Sequence, residues 1–420
     1  MSEPLFEELH TEIPGPRTRE LAVALRTFES RNVTFVDEEF PVFWERSSGA
    51  TVTDVDGNRY IDLTAGFGVA NTGHSNPRVA RALSEQASRL MHAMGDVHPN
   101  ESKTQLLELL AQIAPGDLSK TFLASTGAEA VEAAMKTAVV ATGKSAFAAF
   151  ENAYHGLTLG SLTVSGIAKF REPFAGTLPQ STLLLPYPRD GKSNLAELRR
   201  ALQERADIAA LFVEPVQGRG GNIVPPKGWL NGLREICTDL GILLVFDEIY
   251  TGFGRTGTWF ACEDDGAVPD IMCIGKALAN GFPMSAAIAR PDIMDAWPVS
   301  AGEALHTSTY LGNPMGCAAA VANIGEMQRM DLPEQARMLG LALSERLERL
   351  RTHAHVRDIR GRGLMWAIEL DSGERAARVV KQTLRAGIIL LQAGPQGEAL
   401  SLTPPLVITK DQLFHAIDII

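Results

Sequence analysis

The sequence has only four cysteines, Cys237, Cys262, Cys273 and Cys317, and none of the paired spacings that hold a metal. Cys273 and Cys317 lie in apolar or small-residue runs, so the four are expected to be reduced, inert thiols with no metal bound. A basic field is also missing. The formal charge of −11 disfavours nucleic acid and anionic membranes as partners. No apolar run reaches transmembrane length. Met1 to His10 carries Glu3, Glu7 and Glu8 and lacks the apolar stretch of a secretion leader, which points to a cytoplasmic protein. Repeats, low-complexity tracts and flexible linkers are lacking too. With 420 residues, the chain exceeds the usual size of one core, so two lobes with room for a buried site are expected.

What is present is an alternation of short apolar runs with helical patterns. Lys120 to Leu123, Ala146 to Phe150, Ala209 to Val213, Ile242 to Phe246, Ile271 to Ile274 and Ala286 to Ala289 read as buried strands. Such alternation predicts an α/β fold with a mostly parallel, doubly wound sheet. Ahead of it, Thr51 to Asp62 reads as a hairpin turning at Asp56-Gly57-Asn58. Behind it come a helix-rich stretch after Pro314, short strands around Gly361-Arg362-Gly363, and an amphipathic segment from Asp411 that reaches Ile420 without a stop signal.

The chemistry concentrates at two strand ends. Lys276 follows the apolar strand at Ile271 to Ile274, where lost solvation lowers an ammonium pKa and frees the amine to act as a nucleophile. Asp247-Glu248 ends a second such strand, opening into the crevice where α/β folds bind ligands. The pairing suits pyridoxal 5'-phosphate (PLP), whose aldehyde needs a lysine Schiff base and whose ring nitrogen needs an acidic partner.

The run Leu244-Val245-Phe246-Asp247-Glu248-Ile249-Tyr250-Thr251-Gly252-Phe253-Gly254-Arg255-Thr256-Gly257, with Gly275-Lys276-Ala277-Leu278-Ala279-Asn280-Gly281, resembles the signature of class III aminotransferases of the 4-aminobutyrate and omega-aminotransferase kind. The resemblance runs from about Arg17 to the last residue. It implies a fold-type-I PLP enzyme with ping-pong transamination of an amine or ω-amino donor with a keto-acid acceptor. It also implies a homodimer with shared sites, and a small α+β domain built from both chain ends. The boundaries expected are 1–65 and 316–420 for the small domain and 66–315 for the large one. A racemase, epimerase or decarboxylase on the same scaffold is the alternative outcome.

The resemblance assigns roles residue by residue. Lys276, Asp247 and Glu214 become the catalytic groups. Gly127 and Ala128, in a Ser-Thr-Gly-Ala segment opening a helix, become phosphate contacts, for which small residues and a helix N-terminus are suited. Tyr154 is placed over the cofactor face with His155 next to it among the cofactor contacts, Ile249 under that face, and Thr309 on the phosphate of the neighbouring subunit; Tyr250 replaces the glutamine usual beside the phenolic oxygen, leaving open whether its hydroxyl reaches that oxygen or its ring narrows the pocket. Phe67, Leu157, Arg219 and Ser401 are expected on the substrate side. Here the chain departs from its relatives' pattern. Leu157 stands where 4-aminobutyrate-type members carry an arginine for the far carboxylate, and Ser401 where another grips the keto acid's α-carboxylate. Two charge-assisted contacts of about 1.5–3 kcal/mol each are thereby lost. Arg219, in Gly218-Arg219-Gly220-Gly221, is a cation near the site that could bind a substrate carboxylate, pair with Glu214 or lie in solvent. These departures predict a donor of reduced anionic character.

Overall fold

The computed structural model describes residues 5–189 and 191–420; Met1–Pro4, the first part of the segment read above for a leader, lie outside them. Strands Lys120–Ala124, Ser285–Ala289, Ile271–Ile274, Leu243–Asp247, Ile208–Val213, Ala146–Phe150 and Leu183–Leu185 lie side by side in that order as one seven-stranded sheet. Only Ser285–Ala289 runs against its neighbours. Six of these strands are the apolar runs expected, shifted by a residue at most; Leu183–Leu185 is an unexpected edge strand.

The near-continuous apolar runs arise because both faces of the sheet are covered. Alternate residues go to opposite layers. Ala146, Ala148, Leu211, Val213, Leu244 and Phe246 join the core shared with Trp229 and Leu233 of the helix Trp229–Leu240. Phe147, Ala149, Phe212, Val245 and Cys273 face Ala130, Val131 and Ala134 of the helix Gly127–Thr142. All four cysteines are buried free thiols within these layers.

The two chain ends meet in a second sheet. Thr51–Asp54 and Arg59–Asp62 form the antiparallel hairpin, with Gly57 in the left-handed turn conformation that its missing Cβ permits (φ 87°). Ile388–Ile389 pairs in parallel with Arg59–Asp62 through Ile388 and Ile61. Val356–Arg362, Met365–Leu370, Ala399–Leu402 and Leu391–Ala393 make a separate four-stranded antiparallel sheet. The long helices Pro314–Met330 and Leu332–Glu348 follow the large sheet, and Lys410–Ile419 closes the chain. Among the described residues no helix is long and apolar enough to cross a membrane.

Candidate active site

Parallel strands deliver their C-terminal ends to one edge, and there the sequence places its chemistry. Ser125, Tyr154, Glu214, Asp247 and Lys276 all follow such ends, and the adjacent registers Val213 to Phe246 and Asp247 to Cys273 hold three of them together. Glu248 turns the other way. It accepts hydrogen bonds from Cys262 N (2.8 Å), Ala261 N (3.1 Å) and the Thr251 hydroxyl, and so clamps a loop while Asp247 faces the site.

Asp247 is 4% exposed and hydrogen-bonds His155 Nδ1 through Oδ2 at 2.7 Å, while its Oδ1 accepts from Ile249 N at 3.0 Å. Burial alone would lower the His155 pKa, but the hydrogen bond to Asp247 and its charge outweigh it and the net shift is upward. The buried imidazole thus donates its Nδ1–H to the carboxylate from the side away from Ile249 N. His155 Nε2 has no partner among the described residues. The pairing spans 92 positions of sequence and was not foreseen, although His155 itself was.

Lys276 sits at φ 43°, a left-handed conformation that costs a non-glycine residue on the order of 1–3 kcal/mol and marks constrained functional positions. Burial lowers its ammonium to about 8 against the pull of Asp247 and Glu214, with the Arg219 charge lowering it further. Its Nζ lies 3.9 Å from the centroid of the Tyr250 ring. Ile249 fills the space beneath: a Cβ on Gly127 would stand 3.0 Å from its Cδ1, and one on Gly275 3.4 Å from its Cγ2.

Glu214 is 6% exposed and accepts from Tyr154 N (2.8 Å) and Gly218 N (2.9 Å), joining two site loops. Burial, with the Asp247 charge, raises its carboxyl from 4.5 to about 7 against the opposing pull of His155 and the two amides. The fold thus binds this proton more tightly than the unfolded chain does. The resulting stabilisation is complete below pH 4.5 and lost as pH rises through about 7. Its size is on the order of 3 kcal/mol. Glu214→Gln cannot titrate, and its amide NH2 would face one of the two N–H donors. The variant is expected to be less stable than the parent at pH 5 by about 1–3 kcal/mol, with the gap closing towards pH 8. Urea unfolding at the two pH values measures this; a gap independent of pH would place the titration elsewhere.

The segment Ser125–Ala128 is both a helix cap and a cradle. Thr126 Oγ1 accepts from Glu129 N (3.3 Å), and Glu129 Oε2 accepts from Ser125 N (2.8 Å) and Thr126 N (2.9 Å). Gly127 N and Ala128 N keep no acceptor among the described residues. Two free N–H groups at the start of a 16-residue helix suit a phosphate. Gly156 presses on this spot: its Cβ would stand 2.8 Å from that of Ala128.

The substrate-side residues are spread more widely. Phe67 and Leu157 are 58% and 49% exposed. Arg219 is exposed and has no ion-pair partner among the described residues, so the pairing with Glu214 that its position allowed does not occur; its charge still helps lower Lys276 and opposes the burial that raises the Tyr154 phenol. Ser401 is buried in Ala399–Leu402, with its hydroxyl accepting from Asn222 Nδ2 at 3.1 Å. Thr309 is exposed on a loop.

A lysine of lowered pKa, a carboxylate hydrogen-bonded from behind by a buried imidazole and a free helix N-terminus fit PLP at its three attachment points. On this sheet they define a fold-type-I PLP-dependent enzyme. The chain belongs to the class III aminotransferase family, whose pattern (Aminotransferase class-III) matches residues 34–420. It is 39% identical over 380 residues to the acetylornithine aminotransferase of Methanosarcina mazei, covering 90% of this chain and 91% of that one. It is 38% identical over 440 residues to the 4-aminobutyrate aminotransferase of Mycobacterium leprae, covering 98% and 97%. An amine transaminase from an uncultivated Pseudomonas species, solved with PLP bound, superposes with a TM-score of 0.84 at 31% identity over 93% of this chain and 97% of that one. The protein is accordingly a PLP-dependent aminotransferase that moves an amino group from an amine donor to a keto-acid acceptor.

Proposed function

We propose that the donor is an amine or ω-amino compound of reduced anionic character, handled by Lys276, Asp247 and Glu214. The observation that carries this reading is the substrate side itself. Its exposed residues Phe67 and Leu157 are apolar, the Ser401 hydroxyl is engaged by Asn222, and the cation at hand, Arg219, is exposed. Bound PLP supplies an electron sink. Lys276 Nζ, at about 8, is close enough to neutral pH to take a proton from the donor carbon and return it. Asp247, held by His155, would sit against the ring nitrogen and balance its proton. Gly127 and Ala128 would take the phosphate, and Tyr154 and Ile249 would hold the ring from either side. The aminotransferase relatives favour group transfer over racemisation, epimerisation or decarboxylation.

A homodimer completes the proposal, in a cytoplasmic setting and with domain boundaries near 65 and 315. Met91, Met94, Val97, Leu305 and Tyr310 are all more than half exposed. The two segments that carry them are joined by Asp96 with Thr307 (2.9 Å) and by the rings of His92 and Tyr310. An apolar surface of this kind beside Thr309 is suited to a second copy, whose phosphate Thr309 would then reach.

The donor reading is tested by charge. Leu157→Arg should improve 4-aminobutyrate relative to a neutral amine by about 10-fold, the value of a partly desolvated carboxylate contact. Arg219→Ala should raise KM for the keto acid about 2- to 5-fold, since an exposed pair contributes no more than about 1 kcal/mol, and leave KM for neutral amines nearly unchanged. If the unmodified enzyme turns over 4-aminobutyrate best and Arg219→Ala is silent, the donor reading fails while the cofactor chemistry stands.

A further inference from the structure

We infer that Tyr250 is the positioning residue of the Lys276 amine, and that its ring is the seat the amine takes whenever it is not bonded to the cofactor. The inference rests on Lys276 being the attachment lysine. Tyr250 cannot swing aside. A Cβ on either Gly68 or Gly218 would overlap its ring, so the ring is wedged between two loops that are glycine at the point of contact. Gly68 has φ 73°, a backbone that resists a side chain in any case. At the far end the Tyr250 hydroxyl meets Thr403 Oγ1 at 3.0 Å. Thr403 is itself held by Leu63 O through its amide (2.8 Å) and by Thr64 O through its hydroxyl (3.3 Å). The ring is thus fixed from the N-terminal, central and C-terminal parts of the chain together.

On that fixed ring lies Nζ of Lys276, 3.9 Å from the centroid. It has no hydrogen-bond acceptor among the described residues, so the ring face is its direct partner. The charges acting on it are Asp247 and Glu214, which favour the ammonium, and Arg219, which opposes it. An aromatic face adds to the first group, because its quadrupole attracts a cation and does so more strongly where water is excluded. Tyr250 in this way fixes both the place and the basicity of the amine that must carry the proton. Its hydroxyl, turned to Thr403, plays no part in that contact.

The test is a titration, not a rate. In the aminated-cofactor form of the holoenzyme the Lys276 amine is free, and 13Cε-lysine NMR follows its protonation, the resonance being identified by its loss in Lys276→Ala. Tyr250→Phe keeps the face and should titrate within about 0.2 unit of the parent, whereas Tyr250→Leu should titrate roughly 0.5–1.5 units lower. Gly218→Ala pushes the ring without changing its chemistry, and should shift the amine in the same direction even if the leucine variant does not fold. Parent-like titration in Tyr250→Leu, or in Gly218→Ala where the leucine variant is lost, overturns the inference. A borohydride-reducible linkage that persists in Lys276→Ala overturns instead the assignment of the lysine on which it rests.

Discussion

Lys276→Ala is expected to lose the visible absorption of lysine-linked PLP altogether and to lower turnover by at least about 10⁴, because on the proposed reading one substitution removes both the covalent attachment and the proton carrier. The loss is chemical, with little damage to the fold. The position keeps its unusual backbone at φ 43°, which Ala tolerates no worse than Lys. The neighbouring Ala277 and Leu278 stay buried, and the strand Ile271–Ile274 pairs on both sides as before. PLP should therefore still bind, held by the free N–H groups of Gly127 and Ala128 and by Asp247, but more weakly and without a linkage that borohydride can reduce. A small added amine such as methylamine can carry a proton without restoring the attachment. Partial recovery of single-turnover rate with methylamine, at unchanged PLP affinity, would separate the two roles. If reduction still traps PLP on the variant, the attachment lies on another lysine.

This pair of groups was legible in the sequence because each sits at the end of a buried strand, and a strand end is a local property. Ile271 to Ile274 before Lys276 and Leu244 to Phe246 before Asp247 are uninterrupted apolar runs, and only a sheet covered on both faces needs such runs. Leu183–Leu185 escaped notice for the opposite reason. It is three residues long, pairs on one side only, and carries too little pattern to separate it from a loop. What the sequence could not show were contacts made by packing. His155 reaches Asp247 from another strand end, Asn222 reaches Ser401 across 179 positions, and Tyr250 meets Gly68, Gly218 and Thr403 from three separate parts of the chain. The replacement at Tyr250 was visible, but its consequence was not. Whether its hydroxyl or its ring faces Lys276 depends on glycines whose relevance only folding reveals.

Asp247→Asn is expected to slow the half-reaction with an amine donor by at least about 10², a loss of roughly 2.7 kcal/mol of transition-state stabilisation, with PLP still bound. Shape is nearly conserved. Asn Oδ1 can go on accepting from Ile249 N, as Asp247 Oδ1 does at 3.0 Å, so the turn after the strand survives. The change falls on the other oxygen, which now becomes an NH2 group facing His155 Nδ1 across 2.7 Å. His155 must then accept there, and so carry its proton on Nε2, which has no partner among the described residues. A buried N–H left unpaired costs about 1–3 kcal/mol, so thermal stability should fall along with the rate. The two effects have separate origins and separate remedies. Adding His155→Ala to Asp247→Asn should recover part of the lost stability by removing the stranded donor, but none of the lost rate, because the charge opposite the cofactor ring would still be missing. Equal single-turnover rates in Asp247→Asn and the parent, measured with PLP saturating, would show that this carboxylate does not balance the ring-nitrogen proton.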